Sequence, residues 1–450
     1  MDATAVTQNA CKLCSPLGAS LAIKGIEGAV VLLHGSQGCS TYIRRYMISH
    51  FKEPIDIASS NFSEESAVFG GGNNIKTALD NITRQYKPQM IGVATTCLAE
   101  TIGDDVPGIL RDYAMESKNP VPTVHISTPS YRGSHADGFH ETILQVVMAL
   151  AGSGRSHQAS ENEVNLMPGM LSPADLRYLK QVMIDFGIPA TLLPDYSQTL
   201  DGVQWDTYQK ISPGGTPVQS IRRMGSAAAS IEFGRTLVSR QTAGDYLQKQ
   251  MAITNHPIGL PIGINETDRF MDLLERISRK PMPHEYTEAR GRLIDAYVDG
   301  HKYVSGIRAA VYGEEDLVVG LASFMAEIGV HPVVCASGGN SGALETALNQ
   351  VIPGFNQKDY RVLSGADFME IGDAAQSMDV DLMVGNSKGY SIARQLQIPL
   401  VRVGFPIHDR FGGARILHVG YHGAQQLFDR LVNSLLEYRQ QKSDVGYTYM

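Results

Sequence analysis

Two cysteines of this sequence stand where a parallel β-sheet would make them available for chemistry. Cys39 follows the apolar run AVVLLH at 29–34 through a short glycine-containing turn, and Cys97 follows the apolar run MIGVAT at 90–95. Both runs predict buried strands. Because sites in open parallel sheets form just past the carboxyl ends of the strands, we expect the two thiols at one edge of one sheet.

A third thiol and a hydroxyl are expected near the same edge. Cys14 opens the turn-rich segment CSPLG ahead of a predicted helix at 19–25, and Ser134 follows a predicted strand at 121–127. Soft thiolates select zinc, copper(I) or iron–sulfur clusters. A cubane cluster usually takes four cysteines, so three thiolates at one edge predict that a partner chain supplies the remaining ligands.

The residues alone leave other interpretations of the cysteines open. Each can be a buried small hydrophobe, and CKLC at 11–14 can be a redox pair or half of a zinc site. Wide separation of the three thiols differs from the paired ligands of structural zinc. Cys335 lies inside an apolar run and is expected to be a core thiol. A binding protein with a cysteine-lined pocket and no iron is a further alternative.

Short apolar strands alternate with helical stretches along the chain, a pattern typical of α/β architecture with parallel sheets. We predict three Rossmann-like domains, which span 1–155, 156–300 and 301–450. The first ends near a Gly/Ser-rich stretch at 152–160. A helical, charged connector at 264–302 ends the second, and an amphipathic helix at 423–440 closes the third.

One helix of the second domain has a predicted start and end. Ser172 is suited to the N-cap, Pro173 to the first helical position and Asp175 to the first turn. Gly187 is expected to end this helix. In the third domain, the apolar run at 308–313 predicts another buried strand.

Composition and charge argue against several classes of protein. The chain has 450 residues, 43% of them hydrophobic and 19% charged, with a net charge of −8. The negative charge argues against a nucleic-acid surface. No apolar run reaches roughly 18 residues, and the N-terminus lacks a signal-peptide pattern, so we expect no membrane span and a cytoplasmic location. Five cysteines in so large a chain do not predict a disulfide framework.

Several segments together resemble the β-subunit of nitrogenase component 1. They are CSPLGA at 14–19, HGSQGC at 34–39, FGG at 69–71, TTCLAETIGDD at 95–105, TPS…GSH at 128–135 and GFPIHDR…GYHG at 404–423. The motifs occur in the family's order. The resemblance is strongest over 10–140 and 380–435.

The resemblance implies a specific cofactor and specific partners. In that family three cysteines of each subunit hold the P-cluster between α and β, and the matching positions here are Cys14, Cys39 and Cys97. Ser134 is matched to the serine that also ligates the cluster on oxidation. The implied cofactor is an [8Fe-7S] P-cluster type of iron–sulfur cluster, or a [4Fe-4S] cluster, shared with an α-type partner. An α2β2 heterotetramer and an ATP-dependent iron-protein reductase are also implied.

Two functional branches follow from the resemblance. One is an electron-relaying β-subunit of nitrogenase or of a nitrogenase-like reductase such as methylthio-alkane reductase. The other is the β-like subunit of the scaffold that assembles the iron–molybdenum cofactor. Retention of all three cysteines favours the reductase, whereas LPDYSQTLDG at 193–202 and CSTYIRR at 39–45 look closer to the scaffold. We expect the reductase branch, and the short chain disfavours strict dinitrogen reduction.

Other polar groups have simpler interpretations. His408, His418 and His422 are expected to pack loops or an interface rather than bind metal. Asp104 and Asp105 follow Cys97 and are expected to begin a helix, where carboxylates suit the macrodipole, or to shape the surroundings of a cluster. No phosphate-binding GxxxxGK[ST] motif occurs, so ATP hydrolysis is assigned to a partner.

Overall fold

The computed structural model describes residues 9–117, 120–152, 163–352, 354–355 and 359–445. Within these residues thirteen strands form three sheets, and every strand pair in them is parallel. This confirms the prediction of an α/β fold with Rossmann-like domains. No helix in the described part of the chain is both long and apolar enough to cross a membrane.

The first sheet has the strand order β2-β1-β3-β4. Its strands are β1 (Ala29–His34), β2 (Ala58–Ser59), β3 (Met90–Thr95) and β4 (Thr123–Ile126). Its helices are α1 (Ser15–Lys24), α2 (Gln37–Phe51), α3 (Glu64–Phe69), α4 (Gly72–Tyr86), α5 (Cys97–Ile102), α6 (Val106–Glu116) and α7 (His135–Leu150). Strands β1 and β3 have the bounds expected from sequence, because both are apolar up to a final polar residue and are buried at every residue.

The second sheet has the order β6-β5-β7-β8. Its strands are β5 (Val164–Met167), β6 (Ala190–Leu192), β7 (Ala229–Phe233) and β8 (Thr254–Ile258), and its helices are α8 (Pro173–Asp185), α9 (Val218–Arg223) and α10 (Ala243–Met251). The predicted connector forms two helices, α11 (Gly263–Ser278) and α12 (His284–Val304). The predicted boundary at residue 155 lies outside the described residues, and the one at residue 300 falls within α12.

The third sheet has the order β11-β10-β9-β12-β13. Its strands are β9 (Arg308–Gly313), β10 (His331–Ser337), β11 (Arg361–Ser364), β12 (Leu382–Gly385) and β13 (Leu400–Arg402). Its helices are α13 (Glu315–Glu327), α14 (Leu344–Val351), α15 (Phe368–Ser377), α16 (Tyr390–Gln395) and α17 (Gly420–Lys442). Short 3-10 turns occur at Met224–Ser226, Leu237–Ser239, Ser387–Gly389 and Gly413–Arg415.

Helix α8 begins and ends as its sequence predicts. The Ser172 hydroxyl accepts from the Asp175 N–H at 3.0 Å, and the Asp175 carboxylate accepts from the Ser172 N–H at 3.0 Å. Gly187 follows the helix with a φ of +67°, a left-handed conformation that favours glycine. Asp175 also accepts from His418 Nδ1 at 2.9 Å, so this helix start ties the second domain to the third.

Close packing of α1 against α7 fixes the segment that carries Cys14. All ten residues of α1 are buried. A Cβ at Gly18 would lie 1.7 Å from the His135 carbonyl oxygen, and one at Gly138 would lie 2.0 Å from the Ser15 carbonyl oxygen. Only glycine therefore allows the two backbones to approach this closely. This contact holds the start of α1 against the start of α7, beside the first sheet.

Candidate metal-cluster site

Three cysteines surround one cavity at the carboxyl edge of the first sheet. Cys39 lies in the first turn of α2, Cys97 is the first residue of α5, and Cys14 immediately precedes α1. Strands β1 and β3 pair in register, with His34 opposite Thr95, so the segments that follow them emerge side by side. The convergence of Cys39 and Cys97 is thus a direct consequence of the parallel topology.

The cavity has a volume of about 340 Å³ and contains all three of these sulfur-bearing side chains in its wall. Its lining residues are Cys14, Pro16, Ser36, Gly38, Cys39, Tyr42, Ile43, Thr96, Cys97 and Ser130. The three thiols are half-buried and free of disulfides. The wall of the cavity is therefore mixed in polarity, with thiols and small polar groups beside apolar side chains.

Hydrogen-bond donors point at two of the sulfurs. The Ser130 N–H donates to Cys97 Sγ at 3.3 Å, and the Ser36 hydroxyl donates to Cys39 Sγ at 3.7 Å. Donors of this kind stabilise the thiolate, which is the form that binds metal. They also tune the reduction potential of any cluster that the sulfurs hold.

Burial and the neighbouring cysteines disfavour the ionised form of Cys14. The pKa of Cys14 is raised from 9.0 to about 11, chiefly by burial; the Leu17 N–H opposes this rise, and the nearby Cys39 and Cys97 add to it. Like charges placed close together disfavour ionisation. A cationic metal centre would offset this repulsion, so the donor set suits metal binding better than three free thiolates.

The described side chains show no arrangement suited to one bound metal ion. In the part of the chain that the structure describes, no group of three or more His, Cys, Asp or Glu side chains is arranged to hold one metal ion. Tetrahedral zinc would need its ligands about 2.0–2.3 Å from the metal. In an iron–sulfur cluster different cysteines bind different irons, which accommodates thiols spread around a cavity of this size.

Ser134, which the sequence placed with the three cysteines, is not among the cavity's lining residues. Its hydroxyl donates to Asp137 Oδ2 at 2.8 Å at the start of α7, and its side chain is buried there. Arg240 pairs with the same Asp137 and strengthens this anchor. The spacing of Ser134 and Asp137 is that of a helix capping box, a signal available in the sequence.

Ser130 occupies the position at the cavity that the sequence assigned to Ser134. Its N–H reaches Cys97, and its hydroxyl oxygen accepts from the Ser15 N–H at 3.3 Å, next to Cys14. The turn after β4, closed by the Arg132 N–H to the Pro129 oxygen at 3.1 Å, separates the two serines. The sequence contained both candidates, and only the course of this turn distinguishes them.

The two remaining cysteines lie elsewhere. Cys11 is 4% exposed and packs in the core of the third domain, and burial raises its pKa to about 12. It does not line the cavity with Cys14, so the CKLC motif does not act as one ligand pair there. Cys335 lies inside β10 at 1% exposure, which confirms the prediction of a core thiol.

The other polar groups singled out in the sequence have structural partners. His418 binds Asp175 as described above, and the His422 ring packs edge-on against Tyr178 with centroids 5.9 Å apart. Asp105 caps α6, because its side chain accepts from the Gly108 N–H at 3.0 Å. Asp104 instead contacts His34, for which no role was expected from sequence.

Fold and cavity together define a three-domain α/β oxidoreductase subunit of the nitrogenase component 1 class. The family model described as "Nitrogenase component 1 type Oxidoreductase" matches residues 14–436. The chain belongs to this family, and within it to the β-subunit group.

The relatives that it resembles are nitrogenase β chains. It is 34% identical to the nitrogenase molybdenum-iron protein beta chain of Clostridium pasteurianum over 441 residues, which cover 97% of this chain and 95% of the relative. It is also 34% identical to that of Crocosphaera subtropica over 447 residues, covering 98% and 86%.

A solved structure, "Nitrogenase Cp1 at pH 6.5", superposes with a TM-score of 0.95 at 32% identity and covers 100% of this chain and 98% of the other. A chain of "Nitrogenase Cp1 at pH 5", at 15% identity and a TM-score of 0.72, shares the fold.

Proposed function

We propose that this chain is the β-type subunit of a nitrogenase-like reductase and holds a P-cluster type of iron–sulfur cluster together with an α-type partner. The observation that carries the proposal is the convergence of Cys14, Cys39 and Cys97 on one cavity. The similarity to nitrogenase molybdenum-iron protein β chains over nearly the whole chain supports it.

Each residue of the cavity has a task in this proposal. The thiolates of Cys14, Cys39 and Cys97 bind iron, and the donors from Ser36 and Ser130 stabilise negative charge on two of the sulfurs. Apolar neighbours exclude water from one side of the cavity. When bound, the cluster would supply one-electron redox chemistry between an ATP-dependent iron-protein reductase and the active-site metallocluster of the partner.

A partner chain is needed to complete the site. Three thiolates leave the remaining iron ligands unfilled, since cubane-type clusters usually take four cysteines. Beside the cysteines, Tyr42 is 46% and Leu98 is 38% exposed, so large apolar groups reach the surface there. An α-type chain that covers this rim would both add ligands and exclude solvent. We therefore propose an α2β2 heterotetramer.

Ser130 is the serine we propose for the oxidised cluster, in place of Ser134. Its backbone contacts Cys97 Sγ and it lines the cavity, whereas the Ser134 hydroxyl is used by Asp137. A hydroxyl next to the sulfurs can become an additional oxygen ligand when oxidation opens a cluster. We expect this contribution only in the oxidised state.

The test is anaerobic co-purification with the α-type partner, followed by iron analysis and turnover with an ATP-driven reductase. Interface iron matching an [8Fe-7S] complement, in addition to the iron of the partner's active-site metallocluster, together with reduction of dinitrogen or a methylthio compound, is the expected result. Less interface iron, a transferable cofactor precursor and little turnover would identify the scaffold alternative. A colourless, iron-free αβ pair would reject both and leave a binding protein.

A further inference from the structure

His34 holds the helix that carries Cys97 at both of its ends. At the helix start, the His34 carbonyl oxygen accepts from the Thr96 N–H at 3.0 Å and from the Thr96 hydroxyl at 3.1 Å. Beyond the helix end, His34 Nε2 contacts Asp104 Oδ2 at 2.9 Å. The six residues of α5 lie between these two attachments.

The side-chain attachment belongs to a continuous hydrogen-bond chain. The Gly35 N–H donates to Ser60 Oγ at 3.0 Å, and Ser60 Oγ lies 3.0 Å from His34 Nδ1. With a neutral imidazole, the Ser60 hydroxyl donates to Nδ1 and the Nε2–H donates to Asp104. The Gly71 N–H completes the chain by donating to both Asp104 oxygens, at 3.0 and 3.2 Å. Every donor in the chain thus has an acceptor.

Packing leaves this imidazole little freedom to move. The His34 side chain is fully buried and that of Asp104 is 9% exposed. The ring of Phe62 meets the imidazole edge-on with centroids 4.6 Å apart. A Cβ on Gly71 would lie 2.6 Å from His34 Cε1, so the backbone itself closes the remaining side. Burial lowers the pKa of His34, in agreement with the neutral form.

The same residue also ends the strand that leads to Cys39. His34 is the last residue of β1, and Gly35 starts the short turn into α2. Because Gly35 joins the hydrogen-bond chain through Ser60, the approaches to Cys39 and Cys97 are tied to one buried network. Neither His34 nor Asp104 lines the cavity.

We propose that His34 and Asp104 are positioning residues that fix the spacing and orientation of Cys39 and Cys97 for the shared cluster. This inference rests on the proposed function. The pair acts through α5 and the turn before α2, without touching the cluster. Groups that hydrogen-bond a metal ligand directly alter metal affinity by about 10–100-fold when they are replaced, and His34 and Asp104, one step further from the ligands, are expected at the lower end of that range.

The experiment compares His34→Gln and Asp104→Asn with Asp105→Asn in the αβ complex purified anaerobically. Asp105 is a matched control, because it caps α6 and makes no contact with His34. We expect both test variants to retain iron but to release it to a chelator about tenfold faster than the wild type. The electron paramagnetic resonance line shape and the midpoint potential of both variants should shift. Asp105→Asn should leave the rate of iron release, the line shape and the midpoint potential unchanged. Equal behaviour of the three variants would overturn the proposal.

A second measurement works without iron. In the metal-free chain carrying Cys14→Ser, a short bis-maleimide should join Cys39 to Cys97 less efficiently once Asp104 is replaced by Asn. Unchanged cross-linking would count against the positioning role even if no cluster were found. Should Asp104→Asn fail to fold, Ser60→Ala removes the next link of the chain and should change the cross-linking yield in the same direction. Wild-type complex without iron, combined with reduced cross-linking, would reject the proposed function and retain the positioning role.

Discussion

The carboxyl edges of the first and third sheets share a topology but differ in what they offer to a ligand. In the first sheet, Cys39 and Cys97 stand in the opening turns of helices and face a cavity. In the third, Cys335 stands within β10, where its thiol donates to the Pro332 oxygen at 3.4 Å. A cysteine becomes available for metal when it follows a strand, because a side chain inside a central parallel strand is covered on both faces.

The third sheet also closes its edge with its own chain. The Tyr312 hydroxyl donates to the Asn386 oxygen at 2.6 Å, which joins the ends of β9 and β12. Glu314 accepts from the N–H groups of Asp316 and Leu317 and so caps α13. The Tyr312 hydroxyl and the Glu314 carboxylate are thus paired within the chain, as buried polar groups usually are. At the first sheet the sulfurs of Cys39 and Cys97 receive donors and face a cavity, and for that reason we propose the first edge as the binding edge.

Replacement of Cys97 by Ala tests the difference between the two sheets with the largest expected effect. We expect loss of most interface iron and weaker αβ assembly, because metal binding is coupled to association. The matched control is Cys335→Ala, which removes the same group from a buried strand and should leave iron unchanged. Iron per αβ pair, measured together with the mass of the complex, distinguishes the two variants. Full iron in Cys97→Ala would contradict the site.

Acid should weaken a hydrogen bond that joins the first domain to the third. His50, at the far end of α2, accepts from the Ile407 N–H at 2.9 Å, and burial lowers its pKa from 6.5 to about 3. Its neutral form therefore stabilises the fold above pH 6.5, and this stability is lost as the pH falls toward 3. The expected loss is up to about 1.4 kcal/mol per pH unit in the free energy of unfolding.

His50→Gln keeps an acceptor for the Ile407 N–H but does not titrate. Its free energy of unfolding, measured with urea between pH 7 and pH 4, should fall less steeply than that of the wild type. Parallel pH profiles would show that His50 does not contribute to acid sensitivity. Retained iron at pH 7 in the assembled variant serves as the control for an intact fold.

The two serines near the first edge should separate a structural role from a role at the cluster. Ser134→Ala removes the hydroxyl that donates to Asp137 and should cost about 1 kcal/mol of stability with no change in the cluster. Ser130→Ala removes the hydroxyl that accepts from the buried Ser15 N–H, so it should cost a comparable amount of stability and, unlike Ser134→Ala, also alter the spectrum of the oxidised cluster. Urea unfolding and electron paramagnetic resonance of each variant check both expectations. An oxidised-state change confined to Ser134→Ala would reverse the assignment.

The smallest effect on iron is expected at Cys11. Its thiol packs beside Tyr312 and Phe368 in the third domain, away from the cavity. Cys11→Ala should therefore retain full iron and lose only the packing energy of one buried sulfur, whereas Cys14→Ala should lose iron. Comparison of iron content in the two variants tests whether the CKLC motif acts as a pair. Equal iron loss in both would mean that Cys11 takes part.

The sequence by itself determined several strands and the sheet edge at which two of the cysteines meet. Predominantly apolar runs predicted β1, β3 and β9 at their observed bounds, because strands buried on both faces leave a nearly continuous apolar signature. The Ser172 cap was predictable for a similar reason, since capping depends on residues only three positions apart. The convergence of Cys39 and Cys97 followed from the rule that parallel strands place their carboxyl ends together.

Only the tertiary structure decided which neighbours of those strands join the cavity. Ser130 and Ser134 lie four residues apart in one loop, and the turn between them directs one to Cys97 and the other to Asp137. Cys11 packs in the core of the third domain. The structural role of His34 is visible only in the folded chain, where its Nε2 lies 2.9 Å from Asp104 Oδ2. Contacts between residues distant in the chain depend on packing and loop geometry, which leave no local periodicity in the sequence.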